Sequence, residues 1–510
     1  MKKLFVLICS AFVLPSTIWA QDIFRMEQFA SEDLNGTARY VGLGGAMGAL
    51  GADLTVMSTN PAGIGLYRRS DVAGTFSIFS QNDAEKFAGK GKSHLSFDNL
   101  GFVYAVNWDD KTCKFINFGF NYHKRKNFNA LISADMNHGT SMASQTWQMA
   151  DLADYWSTPN QATPLSYMGY ETYLIGENNS GGYDAYYASD SYYRKAQWGS
   201  IQSYDFNIST NLSDQYYLGL TIGALNVNYS SYSLYGENLL LGAGSPIGDY
   251  SLVNDRDITG NGFNVKFGFI ARPLRESPFR VGVAVSTPTY FNLRHKVYSD
   301  IIANYSDDGS SYDQYTQTDY DFNIHTPWKF NLSLGTTIDN WVAIGAEYEY
   351  ADYSKNKVTY DDGFYDDWGS ETEDKALSAE ASSHMKGQST FKLGLEMMVD
   401  PKVSVRLGYN HVTSPFKNRA FPNQQINSAS LDYTTSTNYL TLSAINRLTA
   451  GVGFNFGNFY ADAACLYQHQ KAEFHPFNTQ YGNLNNANEA PTANIKLNRT
   501  QLMLTLGYRF

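Results

Sequence analysis

Short segments in which apolar and polar residues alternate recur along this chain. In Lys402 to Asn410, Val403, Val405, Leu407 and Tyr409 alternate with Lys402, Ser404, Arg406, Gly408 and Asn410. A period of two is that of a β-strand with one greasy face and one wet face. The chain closes on the same pattern, Leu502, Leu504, Leu506, Tyr508 and Phe510 opposing Gln501, Met503, Thr505, Gly507 and Arg509. Fourteen such segments are found: Asp71 to Ser80, Ser96 to Asn107, Lys114 to Lys124, Ile201 to Asn211, Tyr216 to Ser230, Asn261 to Ala271, Phe279 to Tyr290, Trp328 to Ile338, Trp341 to Tyr353, Thr390 to Val399, Lys402 to Val412, Ala444 to Phe456, Asn458 to His469 and Asn498 to Phe510. Most are near the roughly 9 to 11 residues that a tilted strand needs to cross a bilayer.

The connections alternate in length. Short turns such as Leu212 to Gln215, Asp339-Asn340, Asp400-Pro401 and Gly457 interleave with long polar loops, among them Arg125 to Ser200, Ser231 to Gly260, Phe291 to Pro327 and Ser354 to Ser389. Short turns on one rim and long loops on the other mark a membrane barrel, whereas a soluble β-sandwich gives no reason for such alternation. The expected fold is therefore all-β: a transmembrane antiparallel β-barrel of 14 strands, closed because lipid satisfies no strand edge. An even count puts both chain ends on the short-turn side. A lumen this wide is not filled by wall side chains alone. Residues 21–70, carrying Ile23, Phe24, Met26, Phe29, Leu34, Val41, Leu43 and Leu54 ahead of the first strand, are read as an N-terminal plug, and 71–510 as the barrel.

Composition agrees. Aromatics make up 15% of the chain, with 38 Tyr, at a mean hydropathy of only −0.37, a pairing suited to strands that are apolar on one side. Met1 to Ala20 reads as a secretory signal, with Lys2 and Lys3, the apolar run Leu4 to Leu14, and Ala20 before Gln21-Asp22. Ile18 is large for the position it would hold before that cut, and Cys9 lacks the small residues expected before a lipidated cysteine. Beyond the leader, only Cys113 and Cys465 remain, so no disulfide framework is implied. A net charge of −11 argues against a nucleic-acid partner.

The least ordinary stretch is Arg39 to Arg69, which holds Gly42, Gly44, Gly45, Gly48, Gly51, Gly63 and Gly65 and the tight-turn tetrapeptide Asn60-Pro61-Ala62-Gly63. A dinucleotide-binding loop is excluded: Met47 stands where the third glycine belongs, and no strand precedes or βαβ unit follows. Ala38-Arg39-Tyr40-Val41-Gly42-Leu43-Gly44-Gly45-Ala46, then Ala49, Ala52-Asp53 and Asn60-Pro61-Ala62-Gly63-Ile64, resembles the N-terminal hatch of the FadL/TodX family of outer-membrane fatty-acid and hydrocarbon transporters. The resemblance implies a fourteen-stranded barrel in the outer membrane of a Gram-negative bacterium. Its hatch would include Gly42, Gly44, Gly45, Asn60, Pro61, Ala62 and Gly63, and apolar ligands would be captured outside and released sideways into the membrane. The partners it implies are a hydrophobic small molecule, outer-membrane lipid and lipopolysaccharide, and the barrel assembly machinery, which would read the terminal strand ending at Phe510. No cofactor, metal or enzymatic role is expected.

Two groups of residues are candidates for ligand contact. In the Arg125 to Ser200 loop, Met142, Met149, Leu152 and Trp156 fall at helical spacing; Met149 and Trp156 are read as an outer docking groove, with a helix packed on neighbouring loops as the alternative. On the wet strand faces lie Lys266, Arg280, Lys329, Glu347, Glu349, Lys392, Glu396, Arg406 and Arg509. Such lumenal charges pair with one another or with the plug; among them Lys266, Arg280 and Arg406 are the candidates to meet a ligand carboxylate. Competing readings are a general diffusion porin, a secretion-system shuttle barrel for protein cargo, and a haem-uptake barrel using His94, His138 or His384. A barrel enzyme would need a Ser or Asp beside a His at one rim, and the nine His are scattered without a nucleophile motif.

Overall fold

The computed structural model describes residues 23–108, 110, 112–154, 163–179, 181–242, 244–339, 341–361, 371–422, 433–478 and 490–510. The leader reading of Met1 to Ala20, and Trp156, lie outside these residues. Fourteen strands form the wall: β1 (Asp71–Gln81), β2 (Ser93–Asn107), β3 (Cys113–Asn127), β4 (Tyr187–Leu212), β5 (Tyr216–Leu241), β6 (Ser245–Ala271), β7 (Arg280–Ser286), β8 (Lys329–Ile338), β9 (Val342–Asp352), β10 (Gly387–Asp400), β11 (Val403–Val412), β12 (Tyr439–Phe456), β13 (Phe459–His475) and β14 (Arg499–Arg509). Each pairs antiparallel with the next. Pairing of Asp71–Gln81 with Arg499–Arg509, from Asp71↔Arg509 to Gln81↔Arg499, closes the cylinder and removes both edges.

The outward positions form the apolar belt that the alternation predicts. Phe76, Ile78, Leu100, Phe206, Leu218, Phe267, Leu332, Leu334, Leu393, Leu407, Leu502 and Leu506 are all exposed. Aromatics ring both rims, with Trp108, Trp341, Phe459 and Phe510 at the short-turn end and Tyr290, Trp328 and Phe391 at the other. No soluble surface sustains an apolar band of this extent, and the chain is a membrane-spanning barrel.

All fourteen expected strands are present, and one expectation about the loops is corrected. Residues 231–260, read as a polar loop, continue the β5–β6 ladder without a break as far as Leu241↔Ser245. Residues 291–327 similarly fold into a hairpin of Tyr290–Tyr305 and Ser311–His325. Above the membrane the faces exchange character. Tyr235, Leu239, Leu252 and Ile258 point inward and are buried, while polar side chains such as Asn238 and Asp257 face water.

Residues 23–70 fill the lumen. Helix α1 (Ile23–Ala30) lies uppermost, followed by α2 (Ala38–Gly42) and two 3₁₀ turns, Leu54–Ser58 and Pro61–Leu66. Thr37 caps α2, Asp53 caps the first turn and Asn60 the second, each side chain accepting a backbone N–H that would otherwise be buried unpaired. A cap of loop segments covers the long-loop end, built from α3 (Gln145–Asp154), α4 (Pro164–Glu171) and α5 (Lys375–His384).

Candidate functional site

The lower hatch is held against the wall by backbone contact. Gly335, Gly345, Gly394 and Gly408 stand in direct register on β8 to β11, through the pairs Gly335↔Gly345, Gly345↔Gly394 and Gly394↔Gly408. All four face the hatch. A Cβ on Gly394 would sit 2.5 Å from the Leu43 carbonyl oxygen, one on Gly408 would sit 2.5 Å from the Leu43 carbonyl carbon, and one on Gly335 would sit 3.1 Å from the backbone of Ala49. On the other side, Gly219↔Gly268 of β5 and β6 leave room for Pro61 and Ala62, and Gly282 of β7 leaves room for Asn60. The hatch glycines match this girdle: Gly44 and Gly45 take left-handed φ values of 62° and 81°, and the Cα of Gly451 lies 3.5 Å from where a Cβ on Gly42 would stand.

Polar contacts fix the same segment. Thr449 donates to the Gly42 carbonyl at 3.1 Å and Asn410 to the Gly44 carbonyl at 3.3 Å. Within the hatch, the fully buried Asn60 accepts from the Ala62 N–H at 3.2 Å and donates to the Gly48 carbonyl at 2.9 Å, so the Asn-Pro-Ala-Gly turn ties the two halves together. Arg39 binds Glu396 through two 3.0 Å bonds. Glu396 also accepts from Arg406, which reaches Asp462 at 2.5 Å. Glu347 accepts from the Gly48 N–H at 2.9 Å and from Lys392 at 2.6 Å. Below this anchored floor, a recess of about 420 Å³ opens past Arg68, Arg69, Lys402 and Arg509.

The three sequence candidates for a ligand carboxylate are therefore engaged elsewhere. Lys266 pairs with Asp205 at 3.2 Å, and Asp205 also faces His123 at 3.3 Å. Arg280 donates to the Leu50 carbonyl at 3.1 Å, and Arg406 belongs to the Arg39 network. Met149 needs a correction as a groove residue: it is fully buried inside the cap, where its sulfur lies against Gly169. Helix α3 turns its apolar side into the cap core beside Leu165 and Met168, the packing that the alternative reading described. His138 is likewise consumed, its ring bonded to Ser191 and to the Ala143 carbonyl. Among the described residues, no group of three His, Cys, Asp or Glu side chains is placed to hold a metal ion.

What the structure brings together instead is a cavity of about 170 Å³ between α1, the wall and the cap. Phe24, Phe128, Leu440, Leu442, Phe474 and Leu497 supply apolar walls, and Arg25, Lys126, Lys195, Arg256 and Arg499 supply cations. The acids of this chamber are largely committed. Against the upward push of burial, Arg125 and Lys329 hold the Glu32 carboxyl well below the usual range. Asp33 is flanked by Lys126 and Arg499, at 3.7 and 3.9 Å. Burial pushes the Glu27 carboxyl upward, which favours its uncharged form. Lys195 and Arg256 have no carboxylate within 4.0 Å among the described residues. Arg256 instead donates to Asn254, Thr435 and Ser436. These two cations carry no signal in the sequence pattern, because they stand on strand extensions read as loop.

In contrast to the lower hatch, α1 is seated mainly by apolar side chains. Phe24 stacks on Phe416 and meets Tyr439, both at 4.8 Å between ring centroids, and Phe29 packs on Phe128 at 5.8 Å. The arrangement is a membrane-spanning barrel whose lumen holds an anchored floor and, above it, an amphipathic chamber beneath the loops.

No family model and no curated protein sequence matches the chain. Solved structures do share its fold. The P. putida toluene transporter TodX is 11% identical, with 94% of this chain and 99% of that chain aligned at a TM-score of 0.50. A Pseudomonas aeruginosa FadL homologue is 12% identical, over 94% of this chain and 100% of that chain, at a TM-score of 0.52. At these identities the likeness is one of fold: the chain has the barrel-and-hatch architecture of the FadL/TodX proteins.

Proposed function

We propose that this protein takes up hydrophobic small molecules across the outer membrane of a Gram-negative bacterium by passive, hatch-gated diffusion with lateral release into the bilayer. The observation that carries the reading is the amphipathic chamber, with apolar walls at Phe24, Phe128, Leu442 and Phe474 and two cations, Lys195 and Arg256, that no carboxylate neutralises among the described residues. Such a chamber suits a molecule with a greasy body and one negative end, and burying the body supplies about 25 cal/mol per Å². The protein performs no chemistry in this scheme; a ligand that favours one position of α1 over another shifts the gate. The moving part is α1 and the segment that follows it, since the glycine girdle and ion pairs clamp everything from Ala38 to Ser70. A hydrophobic cargo also accords with the structural neighbours, a toluene transporter and a FadL homologue.

The test is binding of a fluorescent long-chain carboxylic acid to the purified barrel, compared with its methyl ester. Lys195→Met with Arg256→Met should weaken the acid by roughly 10- to 100-fold, the worth of a charged hydrogen bond, and leave the ester nearly unchanged. Equal loss for both ligands, or for neither, would reject the assignment. The porin reading gains nothing here, because the hatch lies across the lumen and at Gly345, Gly394 and Gly408 meets the wall too closely to admit a single methyl group.

A further inference from the structure

The chamber has two unlike walls. One is polar and stands on β4 to β6. Lys195 pairs with Ser233 across the β4–β5 ladder, and one step lower Gln197, Ser231 and Arg256 stand side by side through Gln197↔Ser231 and Ser231↔Arg256. All five line the cavity. The other wall is apolar and stands on β12 and β13, on the far side of the ring. Leu440 lies opposite Phe474 at its top, with Leu442 and then Ile445 beneath, all turned to the same cavity. The rings of Tyr193 and Phe474, stacked at 4.4 Å, join the two walls above.

The polar wall keeps hydrogen-bonding capacity that the protein does not use. Below it the Tyr229 hydroxyl meets Lys195 and Ser231 and lies 3.4 Å from the Gln197 amide oxygen. The Gln197 amide nitrogen and the Ser233 hydroxyl have no partner among the described residues, nor has the side chain of Asn438, which also lines the cavity. A plain hydrocarbon body lying here displaces water from those groups and offers nothing in return, which leaves buried donors and acceptors unpaired. A body with hydroxyls along one side pairs them, and still lays its bare side on Leu440, Leu442 and Phe474.

We propose that the chamber selects acids that are two-faced across their width: a rigid alicyclic body, bare on one face and hydroxylated on the other, ended by a carboxylate that meets Lys195 or Arg256. Gln197 and Ser233 are the specificity-determining residues. Since the cations and the unused polar groups share one wall, the anion and the hydroxyls of the ligand lie on one side. A fused-ring body holds them there without the ordering cost that a flexible chain incurs. This inference deepens the transport reading above and rests on its carboxylate-binding assignment.

Calorimetry on the barrel in nanodiscs, with empty nanodiscs as the blank, compares cholic acid, whose hydroxyls share one face, with cholanic acid, the same ring system without them. The unaltered chain should bind cholic acid roughly 10- to 100-fold more tightly, the consequence of one or two buried groups left unpaired by the other acid. Gln197→Leu with Ser233→Ala should bring the two acids within about 3-fold of each other, since the groups that discriminate are gone. Equal or tighter binding of cholanic acid by the unaltered chain would overturn the proposal and needs no variant to be seen. A preference that survives the double substitution would overturn it too. The transport reading is judged separately: a straight-chain acid that binds through Lys195 and Arg256, while the ring acids show no preference, leaves that reading standing and removes this one.

Discussion

Gly394→Ala puts the smallest possible side chain into the girdle, and its consequence can be worked from the geometry. The new methyl would stand 2.5 Å from the Leu43 carbonyl oxygen, where ordinary contact begins at 3.4 Å, so 0.9 Å of displacement must be found. Neither side gives way easily. The Leu43 N–H is bonded to the Arg39 carbonyl, its neighbours Gly42 and Gly44 are tied to Thr449 and Asn410, and Gly394 is locked in register between Gly345 and Gly408. Overpacking of this kind costs about 1–3 kcal/mol, equivalent to roughly a 5- to 150-fold shift toward an undocked hatch. The wall itself, held by its ladders, should remain closed. Hydrogen exchange of peptides covering 38–50 in nanodiscs should accelerate by that factor, with the wall peptides unaffected. Gly91→Ala, where a Cβ meets nothing within 4 Å, serves as the neutral comparison. Unchanged exchange of residues 38–50 in Gly394→Ala would show that the hatch is not held by the girdle.

Three further outcomes follow from the same contacts. Glu396→Ala leaves the guanidinium groups of Arg39 and Arg406 facing one another without their shared carboxylate and should cost about 3–5 kcal/mol, seen as a lowered thermal transition of the detergent-solubilised barrel. Phe24→Ala removes the ring that stacks on Phe416 and Tyr439 and should loosen α1, raising exchange of residues 23–30 while 38–50 stay protected. His384, in the loop helix α5, has its pKa lowered by burial and by Lys417. The folded cap therefore prefers the neutral ring, and its stability is full above the ordinary value of about 6.5 and is lost as pH falls below it. Exchange of residues 375–384 should rise on acidification through that range, and His384→Gln should flatten the response.

The wall was legible because lipid on one side and a polar lumen on the other impose a strict period of two: every expected strand, from Asp71 to Phe510, is found in place. The upper ladders of β5 and β6 were not, because the faces exchange polarity where lipid ends; Tyr235 and Leu252 point inward there, so a pattern read with apolar side chains outward no longer fits. The hatch was legible through its glycines, yet their matching partners on the wall read as ordinary wet-face positions. Gly335, Gly345, Gly394 and Gly408 acquire meaning only when the strand register brings them into one row. The lumenal charges were placed on the correct face, but a sequence does not show that Arg406 is bound to Glu396 and Asp462 while Arg256 lies among neutral oxygens.

The central claim is that a greasy ligand occupies the chamber above an anchored hatch. Photolabelling tests it most directly: the barrel in nanodiscs is exposed to a long-chain carboxylic acid carrying a diazirine, irradiated, digested and mapped by mass spectrometry. The account predicts adducts on the chamber lining, at Phe24, Phe128, Leu442 and Phe474, which are lost in the presence of excess unlabelled acid. Labelling confined to the lipid-facing belt around Leu332, Leu393 and Leu502, and indifferent to competition, would contradict it.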